Sequence, residues 1–560
     1  KPILQLLVTD AIDKVEAISQ EYESVFVDEN TDNIPNILPS PYPDMESFEV
    51  SEKGVLAQLE ELDKNKSTGP DGLSPYLLKL IAPVISNPLT KIFKQSINES
   101  KSPLDWKIQF ISPILKPGKD KLQASSYRPI SITCICSKIL EHIIYSETMK
   151  HLDKFNILSK FQHGYRRGCS TETQLIKVID LFAKNLDKRS QTDAISLDFP
   201  RAFDTVPHYR LLLKMNYYGI RKVLPWIKDF LTDRKQSVVI DGVHSRFVNV
   251  ISGIPQGTVI AALLFLIFIN DLPSSVTKSF TGVFCDDTLI AKEIQNKNDA
   301  EDLQNDLNKV YEWTQIWGMN FNTVKCVQMT VSNKRKNLQT KYFIQKIELT
   351  KVSSIKYLGV IIDSKLTFNE HIQVKTKKAT TVLNMLRRNL HFAPKSVKIK
   401  AFQACVLPIV EYASTCWSPN SLKMTKTLEM ILHNGAKFVT NMYPKKENFS
   451  DYSISKFLEN LHWDTLEHRR MQARTIMAFK IINNCVILEP QMLPKVYNAR
   501  PRHCNNTKVG FKNQLFEPQA RLDVVDNTFF YATPKLWNQN ISQPQASANS
   551  VDKFKNHFKK

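Results

Sequence analysis

The nine cysteines of this 560-residue chain include no CxxC pair and no Cys/His cluster at zinc-ligand spacing. That excludes a structural zinc site of the usual kind. Scattered thiols of this sort are expected to stay reduced, in a nuclear or cytoplasmic protein. Long apolar runs are also lacking. The longest, Val259 to Ile269, ends at Asn270-Asp271 and falls short of the roughly 20 residues that span a bilayer. It is expected to be a buried helix. No secretory-signal pattern opens the chain and no basic amphipathic anchor stands out, so no membrane partner is expected. There is no internal repeat. Basic residues are scarce at the start: residues 1–60 hold three lysines, no arginine and thirteen acidic residues, a net −10. The whole chain carries +20, so the other 500 residues carry +30. An excess of that size suits a polyanionic partner, nucleic acid first.

The length suits roughly three or four domains. Ile3, Leu6, Leu7, Ile12, Val15 and Ile18 lie near helical spacing, which predicts a helix over 1–27. Pro35, Pro39, Pro41 and Pro43 preclude a helix over 28–47, which reads as an acidic connector. Helices are expected over 48–64, 74–99, 137–157, 171–187 (capped by Ser170 or Thr171), 208–232 as a pair, 299–317 and 369–390. Helices should dominate onward to about 490, before a polar, basic and less regular tail over 491–560. Hairpins are expected from Ile108–Leu115 with Tyr127–Ile132, and from 236–240 with 247–251 around Asp241-Gly242. Single strands are expected at 192–197, from Lys325, and at Ile355–Ile362.

The chemistry concentrates in Gly282-Val283-Phe284-Cys285-Asp286-Asp287-Thr288-Leu289-Ile290. Two adjacent carboxylates sit between short apolar, β-prone runs, the pattern of a tight strand–turn–strand. Neighbouring carboxylates disfavour joint ionisation, and a divalent cation, which takes carboxylate oxygens, compensates. A solvated hairpin tip is the plainer reading. A third carboxylate, Asp198, ends the apolar strand that Pro200 stops. Ser252-Gly253-Ile254-Pro255-Gln256-Gly257-Thr258 is a backbone another molecule can approach closely. Lys116 and Arg128 lie near one another on the first hairpin. They would grip a triphosphate, or are ordinary surface cations. This order of groups, with Lys325 downstream, is what two-metal nucleotidyl transfer needs.

Further motifs follow in series: Gly69-Pro70-Asp71-Gly72, Ser126-Tyr127-Arg128-Pro129-Ile130-Ser131, Gln162-His163-Gly164-Tyr165-Arg166, Leu197-Asp198-Phe199 with Ala202-Phe203-Asp204-Thr205-Val206-Pro207-His208, Ile269-Asn270-Asp271-Leu272-Pro273, Asn320-Phe321-Asn322 with Lys325-Cys326, and Lys356-Tyr357-Leu358-Gly359. Dense over 50–370 and sparser to 538, they resemble the reverse transcriptases of non-LTR (LINE-type) retrotransposons, nearest the jockey and CR1-like groups. The resemblance implies an α+β right-hand polymerase with fingers, an antiparallel palm sheet and a helical thumb, followed by a mainly helical C-terminal region. The expected divisions are 1–47 (N-terminal helix and connector), 48–365 (fingers and palm), 366–420 (thumb) and 421–560 (basic C-terminal region). The implied activity is RNA-directed DNA polymerisation, extending a DNA 3′-hydroxyl on an RNA template. The implied partners are template RNA, DNA primer and dNTPs, and the implied cofactor is Mg2+, with Mn2+ as the alternative. The same resemblance assigns Asp198, Asp286 and Asp287 as metal-holding catalytic carboxylates and Lys325 as the general acid. Phe203 becomes the steric gate against ribonucleotides. Gln256, with Gly257, positions the template–nucleotide pair. Lys116 and Arg128 hold the triphosphate. Tyr357, Leu358 and Gly359 grip the primer, and Arg166 contacts primer or template.

The pattern is broken in three places. Ala261-Ala262 replaces a usual Gly-Pro, Cys285 a usual Ala, and Pro200-Arg201 a usual Ser-Lys. A catalytically inactive, truncated copy that only binds RNA is therefore the competing expectation. The chain opens at Lys1 without Met, and residues 1–47 offer no endonuclease, so it is expected to be a fragment whose endonuclease lies outside it. No RNase H carboxylate set is recognisable after 420.

Overall fold

In a computed structural model that describes residues 9–30, 34–441, 458–488, 515–546 and 548–558, the apolar runs become strands β1 (Ile108–Leu115), β2 (Tyr127–Ile132), β3 (Gln191–Leu197), β4 (Arg234–Ile240), β5 (Val243–His244), β6 (Val248–Val250), β7 (Phe280–Phe284), β8 (Asp287–Ile294), β9 (Val327–Val331), β10 (Phe343–Ile344), β11 (Ile347–Glu348), β12 (Thr350–Val352), β13 (Ser354–Tyr357) and β14 (Val360–Asp363), set among many helices. The fold is a mixed α+β one. The chain divides into two units, one of residues 1–165, 198–277 and 308–322, the other of 166–197, 278–307 and 323–560.

In the first unit β1 pairs antiparallel with β2, with Leu115 opposite Tyr127, and parallel with β4. The predicted first hairpin is thus present. The second differs: β5 and β6 both pair with β4. Ser245 separates them, its Oγ accepting from Val238 N at 2.9 Å, so one return strand becomes two short ones. The predicted N-terminal helix is Ala11–Glu23, its N-terminus capped by Asp10; residues 1–8 of that prediction lie outside the described residues. Val15, Ile18 and Tyr22 pack on Ile111 and Val238 of the sheet. The acidic stretch behind this helix is more than a connector. Glu21 pairs with Arg201 at 2.5 Å, Glu23 with Arg246 at 2.5 Å, Asp44 with Arg221 and Glu46 with Lys154. Glu29 pairs with the buried Arg210 at 2.9 Å and accepts from the backbone amides of Tyr209 and Arg210. The apolar run is the Ala261–Ile269 helix, buried on nearly every side as expected. With no Gly-Pro to begin it, the helix starts on the carboxylate of buried Glu141, which accepts from Val259 N at 2.8 Å.

In the second unit the sheet runs β12-β9-β3-β8-β7. Along β9, β3, β8 and β7 each strand is antiparallel to its neighbour, and β12 is parallel on β9. The helix Thr171–Asp187 starts in a capping box between Ser170 and Thr173. It buries Leu175, Ile179 and Phe182 in one core with Ala194, Leu289, Met329 and the later helices. The strand predicted at Ile355–Ile362 is instead the hairpin β13–β14, because Leu358 and Gly359 take φ of 45° and 81° and turn the chain back. Helices Asn369–Asn389, Lys395–Cys405, Leu407–Glu411, Leu422–Thr440 and Leu466–Ile482 follow. Of the less regular tail expected over 491–560, residues 491–514 lie outside the described residues. Phe529–Asn540 and Val551–Asn556 are helical, with Trp537 and Phe479 stacked on Phe554. No helix among the described residues is long and apolar enough to cross a membrane.

Strand β3 is held by a buried carboxylate. Asp193 accepts from Gln191 Nε2 (3.1 Å), Thr330 Oγ1 (2.8 Å), Thr340 Oγ1 (2.6 Å) and Tyr342 Oη (2.8 Å). Asp193→Ala strands the buried hydroxyls of Thr340 and Tyr342 and the half-buried one of Thr330. It is expected to cost on the order of 3 kcal/mol and to lower the melting midpoint by about 6 °C or more. A midpoint within a degree of wild type in calorimetry rules this role out.

Candidate active site

The antiparallel sheet of the second unit gathers its chemistry at one end. There β7 finishes and β8 begins, with Phe284 opposite Asp287 across a two-residue turn. That turn is Cys285-Asp286. Cys285 takes φ 58° and is buried, which turns the backbone while Asp286 stays half-buried and Asp287 exposed. Burial pushes the Cys285 thiol far up, and the charges of Asp286 and Asp287 add to the effect, so the thiol stays protonated and unreactive. Thr288 Oγ1 donates to the Asp286 carbonyl at 3.2 Å.

The same end of the sheet receives the last residue of β3. Leu197 lies opposite Thr288, and Asp198 is the next residue in the chain. Ser196 lies opposite Val327 of β9, so Lys325, exposed and two residues before Val327, also sits at this end. Behind the turn stands the β13–β14 hairpin. The Tyr357 hydroxyl donates to Gly282 O of β7 at 3.4 Å and accepts from Gln174 Nε2 at 3.2 Å. Burial raises its pKa, and the charge of Asp287 acts the same way. At Gly282 a Cβ would stand 2.0 Å from Gln174 Nε2, so a side chain there would displace the amide that bonds Tyr357. Leu358 O accepts from the Tyr412 hydroxyl at 2.9 Å. Arg166 lies in the loop before the Thr171–Asp187 helix, its carbonyl accepting from Cys169 N at 3.2 Å.

The first unit assembles the remaining predicted residues. Asp198 O accepts from Asn322 N at 2.9 Å, and Phe199 rests on Phe321, ring centroids 4.6 Å apart. Arg201 follows at φ 48°, tied to Glu21. The Phe203 ring lies flat on Phe265, 4.6 Å between centroids and 17° between planes, and its carbonyl accepts from Ile254 N at 2.8 Å. Gln256 O accepts from Ser131 N of β2 at 2.7 Å. Gly257, at φ 119°, has no room for a Cβ, which would meet Ser131 O at 2.6 Å. On the β1–β2 hairpin Arg128 is exposed, opposite Ile114, and Lys116 Nζ donates to Ser125 O at 2.9 Å. Lys116, Arg128, Phe203, Gln256 and Gly257 therefore belong to one unit with Asp198. Asp286, Asp287, Lys325, Arg166 and the Tyr357–Gly359 turn belong to the other.

Sequence reading missed two residues here. Asp204 and Tyr22 line one cleft with Gln109, Gln236, Gly253 and Gln256. Burial pushes the Asp204 carboxyl up to about 6, with Arg201 and then Lys116 pulling it back. The motif signalled Asp204; nothing in the sequence signalled that Tyr22, far away in the chain, would join it.

Among the described residues no three His, Cys, Asp or Glu side chains form an all-protein metal cage. The adjacent Asp286 and Asp287 nevertheless fit a hard cation in chemistry, offering oxygen donors only. Mg2+ is typically held by one or two carboxylates, completed by substrate phosphates and water.

Residues 114–362 match the family described as Reverse transcriptase (RNA-dependent DNA polymerase). The chain is 27% identical over 428 residues to the probable RNA-directed DNA polymerase from transposon X-element of Drosophila melanogaster, covering 74% of this chain and 46% of that protein. It is 30% identical over 370 residues to the RNA-directed DNA polymerase from mobile element jockey of Drosophila funebris, covering 64% and 40%. With the probable RNA-directed DNA polymerase from transposon BS of Drosophila melanogaster it shares 25% over 462 residues, covering 76% and 50%. The chain thus spans about half the length, or less, of these curated relatives.

The raised Asp204 pKa carries a stability signature. The folded state holds its proton to about pH 6, whereas an unfolded Asp loses it near 4, so stability falls as pH rises through that window and levels above it. Asp204→Asn is expected to lack this fall. Melting temperatures at about pH 4, 5, 6 and 7 check it; parallel profiles for the two proteins would remove Asp204 as the cause.

Proposed function

We propose, on the premise that residues 114–362 are a reverse transcriptase segment of the non-LTR retrotransposon kind, that this chain is an RNA-directed DNA polymerase. It extends a DNA 3′-hydroxyl on an RNA template and takes dNTPs. The observation that carries this reading is the Asp286-Asp287 turn at the sheet end that also receives the chain leading into Asp198. The two sheets support a right-hand reading, with fingers and palm over 48–365, a thumb over 366–420 and a helical C-terminal region beyond. An N-terminal endonuclease belonging to a longer protein, and work in the nucleus or cytoplasm, are part of the same proposal.

Asp198, Asp286 and Asp287 would hold Mg2+, or Mn2+ in its place. Such ions when bound supply positive charge to the attacking oxygen and the leaving pyrophosphate. The chain's own residues do the rest. Lys116 and Arg128 neutralise and orient the triphosphate, Arg by its planar fork and Lys as a point charge. The Phe203 ring, immobilised on Phe265, occupies the space a 2′-hydroxyl would need. Gln256 and Gly257 offer close backbone approach beneath the nascent pair, since no Cβ fits at 257. Lys325 donates the proton that leaves with pyrophosphate. Tyr357, Leu358 and Gly359, braced on β7 and by Tyr412, hold the primer end, and Arg166 contacts the primer–template backbone without reading sequence.

Primer extension on an RNA template with Mg2+ tests the reading. Wild type is expected to incorporate dNTPs, and Asp286→Ala to fall to background while RNA affinity is kept. Equal inertness of both proteins, with RNA still bound, would leave an inactive RNA-binding copy instead. Phe203→Ala is expected to raise ribonucleotide incorporation relative to dNTPs; unchanged sugar discrimination removes Phe203 from the gate.

A further inference from the structure

The helix Leu466–Ile482 places Arg470 and Arg474 one turn apart on the same face. They are 6% and 5% exposed, and arginine is almost never so buried unless paired. Neither makes an ion pair among the described residues. Arg474 Nη2 donates to Asn527 O at 2.9 Å, but its buried Nε has no acceptor. The Arg470 guanidinium makes no hydrogen bond with any described residue. The neighbouring carboxylates are mostly engaged elsewhere. Glu411 binds Arg469, Glu429 accepts from the amides of Leu466 and Glu467, and both oxygens of Asp526 hold Lys535 Nζ, at 2.6 and 2.7 Å. Glu467 is exposed and makes no ion pair with Arg470. Burial lowers both guanidinium pKa values, and the charge of Arg470 adds to the effect on Arg474, which falls to about 10. The charges of Glu429, Glu467 and Glu411 oppose this for Arg470, but none of them pairs with it directly, and two adjacent, desolvated cations without a direct ion pair are costly.

Both arginines line a cleft of about 350 Å3, which Ser418, Thr425 and Lys535 also border, together with the exposed Glu467 and with Asp526, whose oxygens are taken by Lys535. A group that satisfies this arrangement carries negative charge on several oxygens, accepts from guanidinium forks and hydroxyls, and is small. A phosphate does so. We propose that the cleft binds a backbone phosphate of single-stranded RNA held by the C-terminal helices, apart from the candidate active site. The RNA as source rests on the polymerase reading above; the phosphate chemistry does not.

The test uses the full chain and a fluorescein-labelled single-stranded RNA, with binding followed between about 50 and 300 mM KCl. Arg470→Gln is expected to weaken binding about fivefold and to make the salt slope shallower by about 0.7, the loss of one phosphate contact. Arg470→Lys, which keeps the charge and loses the fork, is expected to keep the slope with a smaller loss, and it carries the test should the Gln variant not fold. Unchanged affinity and slope in Arg470→Gln overturns the proposal. So does a second result: inorganic phosphate raising the melting temperature of wild type and not of Arg470→Gln, while RNA affinity stays equal, makes this a free-phosphate site. Failure here is separable from failure of the polymerase reading. Arg470→Gln is expected to raise the KM for template and keep kcat, whereas Asp286→Ala loses kcat and keeps RNA affinity.

Discussion

Strand register is the constraint on which the candidate site depends. β3 is paired on both sides, and side chains along a strand alternate between faces. A slip of one residue against β8 would turn every side chain of β3 to the other face. It would bury what should be exposed and take Leu197 out of its place opposite Thr288 at the end of the sheet. The register is defended from inside. Asp193 clasps hydroxyls from β9 and from the segment before β10, and these groups meet in only one pairing. The strand register at the candidate site is thus held by a carboxylate that is not part of that site.

The turn itself shows how a backbone can present charge at low cost. The left-handed residue is Cys285, a buried side chain that anchors the turn, and the two aspartates follow it outward. Cys285, small like the alanine that the resemblance leads one to expect there, is accommodated in the turn at this φ. Arg201 is a different case. It follows Pro200 and takes a positive φ that few non-glycine residues adopt. Its guanidinium is held by Glu21 and lies over the Tyr22 ring, 5.6 Å from its centroid. The loop after Asp198 therefore depends on a helix nearly two hundred residues upstream.

That dependence marks where sequence reading stops. Local signals carried far: Ser170 before the Thr171–Asp187 helix, the Leu115–Tyr127 hairpin, and the buried run at Ala261–Ile269 were all legible from periodicity and turn chemistry. The ordered motifs nominated the candidate site residues by their order and spacing. Partnerships across the chain were not legible. Nothing near Glu141 announces that it caps a helix beginning 120 residues later, and nothing around Tyr357 announces Gln174. The error at Ile355–Ile362 has a narrower cause. Apolar residues on both sides of Leu358-Gly359 read as one continuous strand, and only a positive φ at a leucine converts them into a hairpin.

The acidic start of the chain is an internal counter-ion reservoir. Glu21, Glu23, Glu29, Asp44 and Glu46 each neutralise a cation of the body. An expression boundary drawn at residue 48, where composition suggests that a linker ends, would do more than shorten the protein. It would unmask Arg201, Arg210, Arg221, Arg246 and Lys154 together and leave the buried Arg210 without its carboxylate. The product would be a stickier polycation, prone to coat any nucleic acid it meets, with its loop after Asp198 untethered. The acidity of the first sixty residues is thus a device for restraining the charge of the remaining five hundred.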